Sequence, residues 1–286
     1  MSVNLTRRAM LTIGAGFGAL ALSGFRAGAA SLPSTLRVGL SNQLPYAFLD
    51  EKGVLTGQSP DVLLAALKGS GIQDFQATVA EFGALIPGLI AKRFDDICTG
   101  LFIRPPRCQL IAYGNPDSMS RESMVVKTGN PLKLHSLADV KANPDVKIAI
   151  LRGGVEENYL KAAGIPESQW VVLPDIVPLL AAVQGGRADV AFCVLTILAP
   201  TLEKMSGSGL EFAKDFVDPV VDGKPAIEYA AMGFRKEDDA LRTAYNEGLA
   251  KLVASGELAA INRKYGLPDA LTPTAETPTS DVLCKA

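Results

Sequence analysis

"EFGALIPGLIAKRFDDICTGLFIRPPRC", residues 81–108, decides the fold. Within it Leu85, Ile86, Leu89 and Ile90 recur at helical spacing, and "DDICTGLFI" (95–103) follows as a short apolar run of the kind that forms a strand. Upstream, "LRVGLS" (36–41) alternates like a strand. "SPDVLLAALKGSG" (59–71) offers Ser59 as an N-cap, Pro60 at the first helical position and Gly69 near the stop, and "FQATVAEF" (75–82) reads as another strand. The order is β-α-β-α-β, which predicts an α/β unit with parallel strands.

A second series follows. "SMVVK" (123–127) leads through "TGNP" into a helix started by Ser136, the strand "VKIAILRGG" (146–154) and a helix from "VEENYLKAAG" (155–164). After these come "WVVLP" (170–174), the helix "IVPLLAAVQGG" (176–186) and the strand "ADVAFCV" (188–194). "EYAAMGFRKED" (228–238) then gives an alternating strand. Residues 240–266 give amphipathic helical patterning, with Leu241, Tyr245, Leu249, Leu252 and Val253 on a related face. This last region is expected to pack back on the first unit, so the chain crosses twice, near 125–131 and 222–230, and two crossings make a hinge.

The expectation is therefore a two-lobed α/β fold with a ligand cleft between the lobes. Lobe 1 comprises residues 36–127 and 226–270, and lobe 2 comprises 128–225. The Thr- and Pro-rich tail 271–286 is expected to be poorly ordered. The chain's 286 residues suit two such lobes.

Residues 1–29 read as a targeting segment. "TRRAML" carries Arg7 and Arg8, "LTIGAGFGALALSG" is a short apolar run, and "AGAA" (27–30) offers a small-residue cleavage site, together a twin-arginine export signal. Its "GAGFGA" (14–19) follows no strand and is not a dinucleotide fingerprint. Formal charge is −2 with Lys and Arg scattered, which gives no footprint for nucleic acid.

Cys98, Cys108, Cys193 and Cys284 form no CxxC pair and no zinc-like spacing, so no metal is expected. Cys98 and Cys108 are the nearest pair in sequence, but buried free thiols and all three full pairings stay open. His135, the only histidine, lies in the loop "KLHSLAD", which leaves a His-based triad or metal cluster little to draw on. Adjacent acids such as Asp95–Asp96 and Glu156–Glu157 suit helix caps and flanks. No phosphate loop or nucleophile elbow is present, and no cofactor is expected.

The candidate site lies where strands end. Pro105 suits the first helical position, which makes Arg104 the cap and puts Arg107 in the first turn. A carboxylate there would meet free backbone N–H groups and a guanidinium fork, so Arg107 is the candidate anion anchor, with a solvated surface arginine as the alternative. Arginine is a poor cap, and Arg104 has the weaker claim to a ligand role.

Phe102 ends the same strand, Phe82 ends another, and "SNQLPYAF" (41–48) puts Gln43 and Tyr46 on the loop after the first. Three aromatics on three strand ends could box a flat or cationic molecule, although core packing serves a single Phe equally well. "RGGVE" (152–156) would present the Gly154 and Val155 amides from lobe 2.

From about Leu36 to Leu267 the chain resembles periplasmic solute-binding proteins of ABC importers, family 3, the polar amino acid type. The markers are "LRVGLSNQLPYAF", "VLTGQSPDVL", residues 81–108 and "VQGGRADVAF". Through "EFGALIPGL", "FIRPPRC", "NPD" and "VKTGNPLKLHSLADV" it is most similar to the ectoine- and hydroxyectoine-binding subtype.

The resemblance implies that Arg107 grips a ligand carboxylate and that Tyr46, Phe82 and Phe102 enclose its ring. It departs at Arg104 and Pro106, where the family motif has Thr and Glu. It departs at Val194, where amino acid binders keep an aspartate for the ligand ammonium, and at Gly154, where a threonine is common. Gln43 stands where a glutamate pairs with the amidinium, a lost charge worth about 1–2 kcal/mol.

The implied function is capture of a small carboxylated solute by lobe closure and delivery to a membrane permease with its ATPase. The implied protein is a periplasmic monomer and not an enzyme. Two alternatives on the same fold are a cyclohexadienyl-dehydratase-like enzyme and a ligand sensor that docks on a receptor.

Overall fold

Strand and helix signals alternate through two sheets in the computed structural model, which describes residues 32–221 and 224–285. The expected export signal, residues 1–29, lies outside the described residues.

The chain opens with β1 (Thr35–Leu40), the short hairpin β2 (Phe48–Leu49) and β3 (Leu55–Thr56), α1 (Gln58–Ala66) and β4 (Asp74–Val79). It continues through α2 (Leu85–Ile90), β5 (Asp96–Phe102), α3 (Pro105–Cys108), β6 (Ala112–Tyr113) and β7 (Ser118–Ser120). The second series is β8 (Glu122–Lys127), α4 (Leu137–Ala142), β9 (Ile148–Leu151), α5 (Glu156–Ala163), β10 (Trp170–Leu173), α6 (Ile176–Gln184), β11 (Val190–Val194), α7 (Leu195–Lys204) and β12 (Leu210–Phe212). A hairpin of β13 (Val220–Val221) and β14 (Lys224–Pro225) precedes β15 (Glu228–Phe234), α8 (Asp239–Ser255), α9 (Glu257–Lys264) and α10 (Ser280–Leu283).

One sheet runs β4-β1-β5-β15-β6, with β7 also paired to β15. Its β4, β1 and β5 are parallel, and β15 returns antiparallel to β5. The other runs β10-β9-β11-β8-β12, with the first three parallel and β8 antiparallel to β11. Parallel strands of both sheets, β5, β9 and β11, end beside one cavity between the sheets, the place where ligands of open α/β sheets bind. Leu36, Val38, Val62, Leu63, Phe234, Tyr245 and Leu249 form the core under α1 and α8.

Four features differ from the sequence reading. β8 belongs to the second sheet, so the first crossing falls at Arg121 rather than after Lys127. Helix α1 starts earlier, with Gly57 rather than Ser59 as its cap residue. The amides of Gln58 and Ser59 donate to Pro45 O and Tyr46 O at 3.0 and 2.8 Å, so the first turn needs no side-chain cap.

The last amphipathic stretch is two helices, because Gly256 takes φ 78° and ends α8 in a left-handed turn. The tail is held rather than loose: Cys284 is disulfide-bonded to Cys108, and the Ser280 hydroxyl donates to Tyr113 O at 3.2 Å. Cys98 and Cys193 are buried free thiols, so the pair nearest in sequence is not the bonded one.

Candidate ligand-binding site

Every parallel strand of lobe 1 ends at the cleft, and the turns that follow them build the site's first wall. Strand β5 ends at Phe102, and Pro105 opens α3 at its first position, so Arg107 projects from that single turn. Its Nη1 donates to Phe102 O at 2.9 Å and its Nη2 crosses the cleft to donate to Gly153 O at 2.8 Å. The guanidinium carbon sits 5.6 Å from the centroid of the Phe82 ring, a cation–π approach.

Phe82, Phe102 and Arg107 line one narrow cavity with Leu151, Gly154, Val155 and Glu156 from the β9–α5 turn and Cys193, Val194 and Ile197 from the end of β11 and α7. Five of the seven residues singled out from the sequence therefore meet.

Tyr46 and Gln43 do not line that cavity. Tyr46 is fully buried, and its ring lies against Gly100 of β5, where a Cβ would stand 2.6 Å from the ring. Bare Gly100 itself faces the cavity, so Tyr46 backs the wall through it. The Tyr46 hydroxyl hydrogen-bonds across the cleft to Thr196 Oγ1 at 2.9 Å, and Ser120 shares that oxygen at 2.8 Å. Burial pushes the Tyr46 hydroxyl up to about 12, so it stays protonated. Gln43 is buried in a tight turn whose backbone pairs it with Ala47, and its Oε1 has no partner among the described residues.

Arg104 does not reach this cavity. Its Nη2 donates to the Glu228 carboxylate and, at 2.9 Å, to Tyr159 Oη on α5, while the Tyr159 hydroxyl also donates to Glu228. Glu228 opens β15 and Glu122 opens β8, so each stands where the chain passes between the sheets, and both are buried. Burial raises the Glu228 carboxyl and Arg104 opposes that rise. Burial raises Glu122 well above the usual range, and the charges of Glu156 and Glu228 add to it.

Reading the sequence for sites missed Glu156. Its neighbour Glu157 behaves as a helix flank should, accepting from Gly153 N at 3.2 Å. Glu156 turns inward and shares a buried face with Tyr159 and Leu160. The i, i+3, i+4 spacing of one acid with two apolar residues was the available signal. Thr196 and Ile197 were also missed, since α7 carries Pro200 in its interior, which interrupts the helical signal. His135 lies elsewhere, its Nδ1 2.6 Å from Lys214 O. Among the described residues no group of acids, Cys and His is placed to hold a metal ion.

Comparison with known proteins agrees with this architecture. The chain is 34% identical over 271 residues to a probable amino-acid ABC transporter periplasmic-binding protein of Sinorhizobium fredii, covering 92% of this chain and 89% of that one. It is 26% identical to the lysine/arginine/ornithine-binding periplasmic protein of Escherichia coli, over 82% of this chain and 89% of that protein. Among solved structures, EhuB in complex with hydroxyectoine superposes with a TM-score of 0.78 at 36% identity, covering 88% of this chain and 94% of that one. Residues 36–268 match the bacterial extracellular solute-binding proteins, family 3, and the chain belongs to that family.

Proposed function

We propose that this chain is the exported binding component of an ABC importer. Its lobes close on one small carboxylated solute, of the ectoine or hydroxyectoine kind or a modified amino acid, and present it to a permease coupled to an ATPase. In this reading Arg107 takes the carboxylate and Phe82 and Phe102 enclose the body. Tyr46 and Gln43 shape the wall behind, and Gly154 and Val155 close it from lobe 2. The protein works as a monomer in the periplasm, exported by the twin-arginine route, and closure is its output rather than catalysis.

The observation that carries the reading is Arg107 itself, a guanidinium over an aromatic ring at the meeting point of two lobes. Carbonyl oxygens now accept from both its nitrogens. A ligand carboxylate would replace these neutral acceptors with a charged, bidentate one.

A thermal-shift series on the mature protein tests it. Ectoine, hydroxyectoine or an amino acid that binds the folded state should raise the melting temperature, by an amount that grows with ligand concentration. A flat response across those ligands would remove the reading.

Glu156 favours a second reading. A buried carboxyl that burial keeps prone to hold a proton, lining the cavity, is the kind of acid that a cyclohexadienyl-dehydratase-like enzyme would use. Release of keto acid or phenylalanine from prephenate or arogenate would establish it. None is expected if binding is the function.

A further inference from the structure

We infer that Glu156 is the cation-recognising residue of the cleft, so that the solute is a zwitterion whose positive end carries N–H. The inference rests on the reading of this cavity as the ligand site. It goes further in assigning the second charge of the ligand.

Three observations carry it. First, Glu156 is only 1% exposed, lines the same cavity as Arg107, and its Oε2 has no hydrogen-bond partner among the described residues. A buried acceptor left without a donor is costly, and a ligand N–H is the partner that this one lacks. Second, the wall is cut to fit that oxygen. Gly154 has no positive φ, so its backbone does not call for glycine, yet any Cβ there would collide with Glu156 Oε2. Glycine at 154 makes room for the carboxylate. Third, the two opposite charges do not pair with each other, although the Arg107 charge reaches Glu156 and opposes the rise of its carboxyl. Arg107 forms no ion pair among the described residues, and its nitrogens are held by carbonyls of Phe102 and Gly153. Arg104 is committed to Glu228, which leaves Glu122 and Glu156 without a paired cation.

The site therefore has a positive pole at Arg107 and, at Glu156, a carboxyl that burial pushes up to about 7 and that a bound N–H cation would hold ionised as the negative pole, with Phe82 and Phe102 beside them. This also supplies the ammonium partner that Val194 cannot. An orphaned oxygen needs a donor, which favours a cyclic amidinium or a protonated amine over a quaternary ammonium.

Calorimetric titration of the mature protein with ectoine, proline, glycine betaine and cyclohexanecarboxylate tests this, using wild type, Glu156→Gln and Arg107→Ala. Ectoine or proline should bind wild type at least ten-fold more tightly than glycine betaine or cyclohexanecarboxylate. Glu156→Gln should weaken that zwitterion ten-fold or more without weakening cyclohexanecarboxylate.

If Arg107→Ala abolishes binding while Glu156→Gln leaves it unchanged, the inference falls and the site reading stands. If both variants bind as wild type does, or if none of the four ligands binds wild type, both fall; if glycine betaine or cyclohexanecarboxylate binds wild type and neither N–H zwitterion does, the inference alone falls. The wild-type ranking needs no variant to fold, and glycine betaine binding as tightly as the N–H zwitterions overturns the inference by itself.

Discussion

Arg104 and Arg107, three residues apart in "RPPR", have opposite surroundings. Arg104 is turned back onto Glu228 and Tyr159, and Arg107 reaches across the cleft to Gly153. Removing the second should therefore cost binding and little else. Arg107→Ala leaves the α3 backbone bonds intact and deletes the one guanidinium that lines the cavity, so a carboxylate ligand should lose about a hundred-fold in affinity, roughly 3 kcal/mol. Calorimetry on a variant shown to be folded by circular dichroism checks this, and undiminished affinity would refute the anchor.

Arg107, Phe82 and Phe102 could be singled out in the sequence because each follows a strand whose carboxyl end the α/β order sends to one edge. Tyr46 was singled out by the same logic, but only the packing of its ring onto Gly100 puts it behind the wall. Glu156 escaped because charged residues at helix starts are ordinarily solvated. Its buried face with Tyr159 and Leu160 follows the i, i+3, i+4 spacing, but its partner Cys193 lies far along the chain, where no local pattern reaches.

At the scale of elements, the two chain passages between sheets open on Glu122 of β8 and Glu228 of β15. The β-α-β order was legible because each element announces itself within a dozen residues. The assignment of β8 to the second sheet was not, since "ESMVVK" reads as a strand in either lobe and its partners β11 and β12 lie far along the chain. Arg104 is what makes the buried Glu228 tolerable.

Arg104→Met should strand that carboxylate and destabilise the fold by about 3–5 kcal/mol, whereas Arg104→Met with Glu228→Leu removes both charges and should recover most of the loss. Urea unfolding midpoints of the two variants measure this. Equal losses in the single and double variants would mean that the pair contributes through packing rather than charge.

For the molecule as a whole, the tail is the part that composition misjudged. Thr and Pro predict a loose end, but one covalent bond outweighs that tendency. Cys284 closes a span of 176 residues onto Cys108, the residue after Arg107, and Ser280 adds bonds to Tyr113 and Asn115. Such a bond suits an extracellular protein, where thiols are oxidised. In the chain-entropy view a loop of that length restricts the unfolded chain by about 5 kcal/mol, and measured losses run somewhat lower.

Cys284→Ser should therefore cost about 2–5 kcal/mol in urea unfolding, as should reduction of the native bond. α3 is a single turn held from behind by this bond, so ligand affinity should fall several-fold in the same variant, in conditions where it is still folded. A midpoint that does not move would show that the noncovalent contacts of α10 suffice to hold the tail. Lower stability with unchanged affinity would show instead that the position of Arg107 is set by Pro105 and the carbonyls of Phe102 and Gly153, independently of the clamp.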